Sequence, residues 1–306
     1  MAKNKGKQID SRAKWFKAKK KITPYAYVTP MSILMLVLMV VPIIMVVYYS
    51  MMDNVIMNKN PVFVGLKNYA TILTDSVFHE SVRNTLLFTV LSVVFHLLLG
   101  LGFAMLLNTK LLHNITKSAF RVIYILPWVF TAAIIAVLWR LLLNPNGIVN
   151  YIFSQLGIIS QKVEWLGSRR TALWALTFIN IWSGYPFYMV SLLAGLQGIS
   201  ADLYEAATVD GANTVQKFFF VTIPQLKPII ISMAMLDFIW TTQQFSLVWM
   251  TTGGGPVHAT EMLSTYTYKL AFSDYQFSMA STSAVIILIF SMIMAAIYVK
   301  NQKARD

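Results

Sequence analysis

Leu203-Tyr204-Glu205-Ala206-Ala207-Thr208-Val209-Asp210-Gly211, closing at Ile223-Pro224, is the stretch on which the reading of this chain turns. It reads as a short helix with a small surface and a glycine stop, set in a polar gap. Before it, residues 171–201 carry no Asp, Glu, Lys or Arg; after it, residues 228–260 carry only Asp237. A nine-residue element of this polarity cannot cross a membrane, where about 20 apolar residues are needed. What it can do is offer another protein a handle.

Working outward, the same pattern recurs. Segments 22–52, 84–109, 122–139 and 275–299 are also free of charged side chains. The 306 residues are 57% hydrophobic and 12% charged, against about a quarter charged in soluble domains. Six spans are expected near 30–50, 86–107, 122–142, 173–194, 229–250 and 280–299. Backbone amides in lipid must pair internally, so helices or closed barrels are the choices. These runs are too long and too evenly apolar for barrel strands of about 10 residues. The expected fold is an all-α polytopic bundle of six transmembrane helices with a cytoplasmic coupling helix. It divides into a basic N-terminal segment (1–28), a transmembrane domain (29–300) with the helix in a loop at 200–228, and a tail (301–306).

Net charge is +13, and its position argues for a membrane and against nucleic acid. With six spans both termini share a side. If that side is inside, 17 of the 25 basic residues lie there, nine of them among residues 3–21. Short cytoplasmic loops favour Lys and Arg, so both termini are expected in the cytoplasm. The basic N-terminus would meet anionic lipid headgroups. It does not read as a cleaved signal, because the apolar run after it is long enough to span. With no cysteine, disulfides, thiol catalysis and thiolate metal sites are excluded.

Local chemistry supports the short helix. Ser200 is a good N-cap and Asp202 suits the positive end of the helix dipole. Leu203, Ala206, Ala207 and Asp210 share a face, and two alanines there allow close approach. Asp210-Gly211 is a stop, since Gly accepts the left-handed conformation. Asn213 with Gln216 suggests a capping box for a second short helix. Pro224 and Pro228 are expected to break the chain before span five. These residues fit equally a helix–turn–helix linker on the inner membrane face.

The spacing resembles that of permease subunits of bacterial ABC importers. Their signature is Glu-Ala-Ala, three residues, Gly, nine residues, then Ile-x-Leu-Pro. Here Glu205-Ala206-Ala207, Gly211, Val221, Ile223 and Pro224 stand at those positions, with Val221 and Ile223 replacing the usual Ile and Leu. The phrases Val64-Gly65-Leu66-Lys67-Asn68-Tyr69, Ala194-Gly195-Leu196-Gln197 and Thr252-Gly253-Gly254-Gly255-Pro256 are similar to the carbohydrate-uptake branch, maltose and glycerol-phosphate types included. The resemblance covers nearly all of residues 25–300. It implies that Glu205, Ala206, Ala207, Asp210, Gly211 and Pro224 couple the chain to a cytoplasmic ATPase. It also implies partners: a second permease subunit, two ATPase subunits and an extracytoplasmic solute-binding protein. ATP and Mg would sit on the ATPase, with no cofactor on this chain, which is then a transport subunit and not an enzyme.

A solute path is suggested by polar residues in apolar spans. A charge at the centre of a membrane helix costs at least about 2.5–3.5 kcal/mol and so faces protein or water. Asp237, Thr241 and Gln244 form one stripe on span five. Asn180, Ser183 and Gly184 form another on span four, where Pro186 could open the helix. Trp128, after Pro127, could add a flat surface. Helix packing explains the same residues, at roughly 0.6–2 kcal/mol per polar contact. The resemblance favours sugar binding, and a carboxylate at Asp237 favours neutral sugars over phosphates. An ion-coupled secondary transporter, with Asp237 relaying protons, is the alternative.

Other motifs carry little. Gly253-Gly254-Gly255-Pro256 lacks the Lys-Ser/Thr of a phosphate loop and reads as a turn near the outer mouth. His79, His96, His113 and His258 show no metal-ligand spacing and no carboxylate at a useful interval, and His96 reads as a helix-packing group.

Overall fold

The computed structural model describes residues 23–109 and 112–303. The basic run at 3–21, Trp15, Lys110 and residues 304–306 lie outside the described residues. Twelve helices make up the rest, and no named strand occurs among the described residues. They are α1 (Thr23–Ser50, with a π turn at Leu36–Val40), α2 (Lys67–Leu73) and α3 (Ser76–Asn108). Next come α4 (Asn114–Val129), α5 (Ala132–Leu142), α6 (Ile148–Gln155) and α7 (Ala172–Gln197). Then follow α8 (Ala201–Val209), α9 (Thr214–Thr242, with a π turn at Phe218–Thr222) and α10 (Ser246–Thr251). The last are α11 (Leu263–Phe272) and α12 (Phe277–Lys303).

Four helices, α1, α3, α9 and α12, are long and apolar enough to cross a membrane. The expected third span is not one helix. α4 and α5 meet at a 99° bend, because Phe130 is extended and Thr131 caps α5 by accepting the amide of Ile134. Taken as one broken span, the pair makes five. α7 has 26 residues, or about 39 Å of helix. It carries Asn, Ser, Gly, Pro and Tyr residues and is not among those four. It runs unbroken through Pro186, so the expected local opening there does not occur.

Span five also differs from expectation. The capping box is present, with Asn213 and Gln216 exchanging side-chain and backbone hydrogen bonds, but it opens the long helix α9 and not a separate short one. Pro224 and Pro228 do not break the chain. A π turn precedes Pro224, which then sits in the first turn of the α segment that follows. Such adjustments satisfy the carbonyls that a membrane proline frees. The helix ends at Thr242, short of the expected 250, and α10 resumes after a three-residue break.

α3 and α7 form the central and most extensive pair. They run parallel: Ser92 and His96 meet Asn180, and Gly100 meets Tyr188. A side chain on Gly100 would collide with Tyr188, and one on Gly184 would sit inside the His96 ring. Two apolar clusters fill the seam. One holds Phe88, Trp139, Leu176, Ile179 and Leu247; the other holds Ala104, Leu107, Tyr188, Leu192 and Leu226. Between them lies a polar layer. A third cluster joins α2, the start of α3, α11 and α12 through Ile72, Phe78, Tyr266 and Ala280. There Tyr266 donates to Asp75, the N-cap of α3, at 2.6 Å. Burial, reinforced by that bond, pushes the Tyr266 phenol above its ordinary range.

Candidate functional site

The polar layer opens into a cavity of about 260 Å³. Asn180, Ser183 and Gly184 reach it from α7, and Asp237 and Thr241 from α9. Gln244 reaches it from the break after α9, and Trp128 from the last turn of α4. All seven expected pathway residues therefore line one space. The bend between α4 and α5 creates the wall on that side, bringing Pro127, Trp128, Phe130 and Ala132 to the cavity.

Asp237 is not a free charge. It is 7% exposed, and both carboxylate oxygens are engaged. Thr241 donates to Oδ1 at 2.9 Å, and His96 Nδ1 meets Oδ2 at 2.8 Å. The other ring nitrogen, Nε2, lies 3.0 Å from the carbonyl of Asn180. A carbonyl only accepts, so a hydrogen bond there has Nε2 as its donor. Pairing with the imidazole lowers the cost of burying the carboxylate. Asn180 completes the layer by donating its amide to Ser92 at 2.9 Å, and its carbonyl also accepts from Ser183 at 3.0 Å.

This arrangement corrects the reading that no histidine sits near a carboxylate at a useful interval. His96 pairs with Asp237, 141 residues away, and His258 pairs with Glu261 three residues on. His96 does act between helices, tying α3 to α9. It also lines the cavity.

Trp240 is a further lining residue that sequence reasoning missed. The signal was there: positions 237, 240, 241 and 244 recur at helical spacing on one face. Trp128 and Trp240 are both more than half exposed, and Phe187 bridges them with ring centroids 6.2 and 5.7 Å away. The side chain of Gln244 makes no hydrogen bond among the described residues; only its backbone does. The cavity therefore offers a buried polar floor, an uncommitted amide and two exposed indoles. Such a surface suits a ligand with apolar faces and many hydroxyls.

The short helix lies at the far end of α7. Ser200 caps α8 by accepting the amide of Asp202. Gly211 has φ +79°, and the amide of Ala212 closes the helix on the carbonyl of Ala207 at 2.9 Å. No residue of α8 is buried. Glu205, Ala206, Asp210 and Gly211 are exposed and Ala207 is half-buried. α8 is anchored by Tyr204, whose hydroxyl lies 2.9 Å from that of Thr222 in the π turn of α9. Pro224 is two residues beyond, inside α9, so it belongs to the shaft and not to the exposed knob. The expected coupling residues thus separate into a surface group and one helix residue.

Gly253-Gly254-Gly255-Pro256 forms a turn folded around Glu261, which is fully buried and paired with Lys269 and His258. Among the described residues no cluster of metal-ligating side chains occurs.

The chain was compared with known proteins. It is 34% identical over 301 residues to the trehalose/maltose transport system permease protein MalF of Thermococcus litoralis, covering 97% of this chain and 98% of that one. It is 30% identical over 302 residues to the sulfoquinovosyl glycerol transport system permease protein SmoG of Agrobacterium fabrum, covering 98% and 96%. A chain of a bacterial alginate ABC transporter, solved in complex with alginate pentasaccharide-bound periplasmic protein, has the same fold. Its TM-score is 0.81 at 22% identity, covering 95% of this chain and 96% of that one. Residues 85–304 match the profile of the binding-protein-dependent transport system inner membrane component. An all-helical multi-pass bundle with a match over most of its length leads to one assignment: the chain belongs to the binding-protein-dependent transport system inner membrane component family.

Proposed function

We propose that this chain is one of two different permease subunits of an ATP-driven importer and forms half of the path for a sugar or oligosaccharide. The observation that carries the reading is the cavity at the polar layer, with its engaged carboxylate, free amide and two exposed indoles. With its carboxylate engaged and no Lys or Arg in its lining, that surface favours a neutral polyhydroxylated solute over a phosphate. MalF and SmoG are named for sugar-containing solutes, which supports the class. In this reading α8 docks on an ATPase subunit through Glu205, Ala206, Ala207, Asp210 and Gly211. ATP and Mg belong to the two ATPase subunits, and this chain performs no reaction. A solute-binding protein delivers the sugar to the opposite end. This reading keeps six crossings, supported by α7 lying parallel along α3 with the α4–α5 pair returning between them. Both termini then face the cytoplasm.

The test is uptake by proteoliposomes holding this chain, the second permease and two ATPase subunits, supplied with the binding protein. The panel is maltose and trehalose as neutral solutes, with sulfoquinovosyl glycerol and alginate pentasaccharide as anionic ones. ATP-dependent uptake of a neutral sugar is expected, and uptake of the anionic ones alone would overturn the preference for neutral solutes. Uptake that follows an ion gradient and persists without the ATPase subunits would assign the chain to secondary transport.

A further inference from the structure

A second cavity, of about 390 Å³, lies at the end of the bundle opposite α8. Small-molecule sites span roughly 300–1,000 Å³. Its walls are the last turn of α5, the segment before α7, and the end of α10 with the glycine turn. Three polar side chains there have uncommitted groups. Arg140 makes no ion pair or hydrogen bond among the described residues. Glu164 bonds only through its backbone carbonyl. Asn144 engages Oδ1 with the amide of Asn146 and leaves its NH₂ free. Arg140 and Glu164 line the same cavity without pairing, and Trp165 adds half-buried aromatic surface.

The position of this cavity matters as much as its chemistry. Leu247 lines the cavity at His96 and Asp237, and Thr251 lines the second one. They are one turn apart on the same face of α10. Ile135 on α5 and Leu143, its C-cap, line the two spaces about two turns apart. The two spaces are therefore consecutive along one wall.

We propose that the second cavity is an entry subsite for the transported carbohydrate. Arg140 and Asn144 donate to hydroxyls of one sugar ring and Glu164 accepts from them, before the sugar moves inward to the central cavity. One cation and one anion leave the donor set neutral, so it discriminates against ions and suits the same solute class. The inference rests on the importer reading above.

The chain contains no cysteine, so Asn144→Cys provides a unique label site. The experiment uses the reconstituted complex without ATP and the panel sugar that the wild type takes up. Sugar-loaded binding protein is expected to slow modification of Asn144→Cys by a methanethiosulfonate reagent at least about tenfold relative to sugar-free binding protein. Adding Glu164→Gln, or Arg140→Gln as a second variant, abolishes the protection while co-purification with the loaded binding protein continues. Both side chains are exposed and unbonded, so neither change threatens the fold. No protection by sugar overturns the subsite. Protection that survives both variants means that the binding protein itself covers the cavity, which also overturns it. Failure of wild-type uptake for every panel sugar removes the importer reading for these solutes, and the subsite with it.

Discussion

His96 and Asp237 show why single residues in this bundle are better read as pairs. The residues are 141 positions apart, each in an apolar helix, and the sequence offers no period that joins them. The stripe 237, 241, 244 was legible because helical spacing puts it on one face; its partner on α3 was not. What could have been read is the series Ser92, His96, Gly100, four apart, which is the seam facing α7. Breaking a buried pair by removing one partner costs about 3–5 kcal/mol, whereas replacing both with apolar groups can be neutral. His96→Leu is therefore expected to lower the melting temperature of the purified complex markedly. The double variant His96→Leu/Asp237→Leu should recover much of that loss. Equal melting of single and double variants would show that the pair is not coupled. A second prediction contrasts two glycines on either side of this seam. A methyl on Gly184 would enter the His96 ring, and overpacking of this kind costs about 1–3 kcal/mol. A methyl on Gly102 meets nothing within 4 Å and should be neutral or stabilising by up to about 1 kcal/mol. The melting order Gly184→Ala below wild type, and Gly102→Ala at or above it, checks both.

At the scale of elements, α8 and α9 behave as a knob and a shaft. The cap at Ser200, the stop at Gly211 and the box at Asn213 and Gln216 were legible, because each is a local contest for backbone amides. The continuity of α9 through Pro224 and Pro228 was not. Proline removes a donor; a π turn, invisible to pattern, precedes Pro224, and at Pro228 the helix continues as α7 does through Pro186. The break at Phe130 and Thr131 was missed for the opposite reason: the run 122–139 carries no charged side chain, and composition cannot mark where a helix turns. Tyr204 joins knob to shaft through Thr222, and α9 carries Asp237, Trp240 and Thr241 further along. A net hydrogen bond is worth about 0.5–1.5 kcal/mol. Tyr204→Phe should therefore reduce sugar moved per ATP hydrolysed by about two- to tenfold while the complex still assembles. An unchanged ratio would place transmission elsewhere. Gly211 gives a companion test, since space around it is open and only its φ of +79° restricts it. Asn tolerates that conformation and Val does not. Gly211→Asn should retain more uptake than Gly211→Val.

For the whole molecule, sidedness decides whether knob, shaft and cavities form one machine. α7 begins beside the second cavity and ends at α8, so the two lie at opposite ends of a helix about 39 Å long. A hydrocarbon core is about 30 Å thick. In the proposed importer one end meets the ATPase and the other the binding protein, and the placement of the basic residues supports the end with α8 as the inner one. The end with α8 holds Lys117, Arg121, Lys217 and Lys227 near its loops, the inward bias expected of short cytoplasmic segments. The cysteine-free chain makes this directly measurable. Val209 is 88% exposed on α8 and Ile158 is 62% exposed in the segment between α6 and α7. In cells whose inner membrane is intact but whose outer layers are permeable, Ile158→Cys should react with a membrane-impermeant maleimide. Val209→Cys should react only after the inner membrane is opened. The reverse pattern would turn the bundle over, leave α8 out of reach of any cytoplasmic ATPase, and separate the cavity from the motor proposed to drive it.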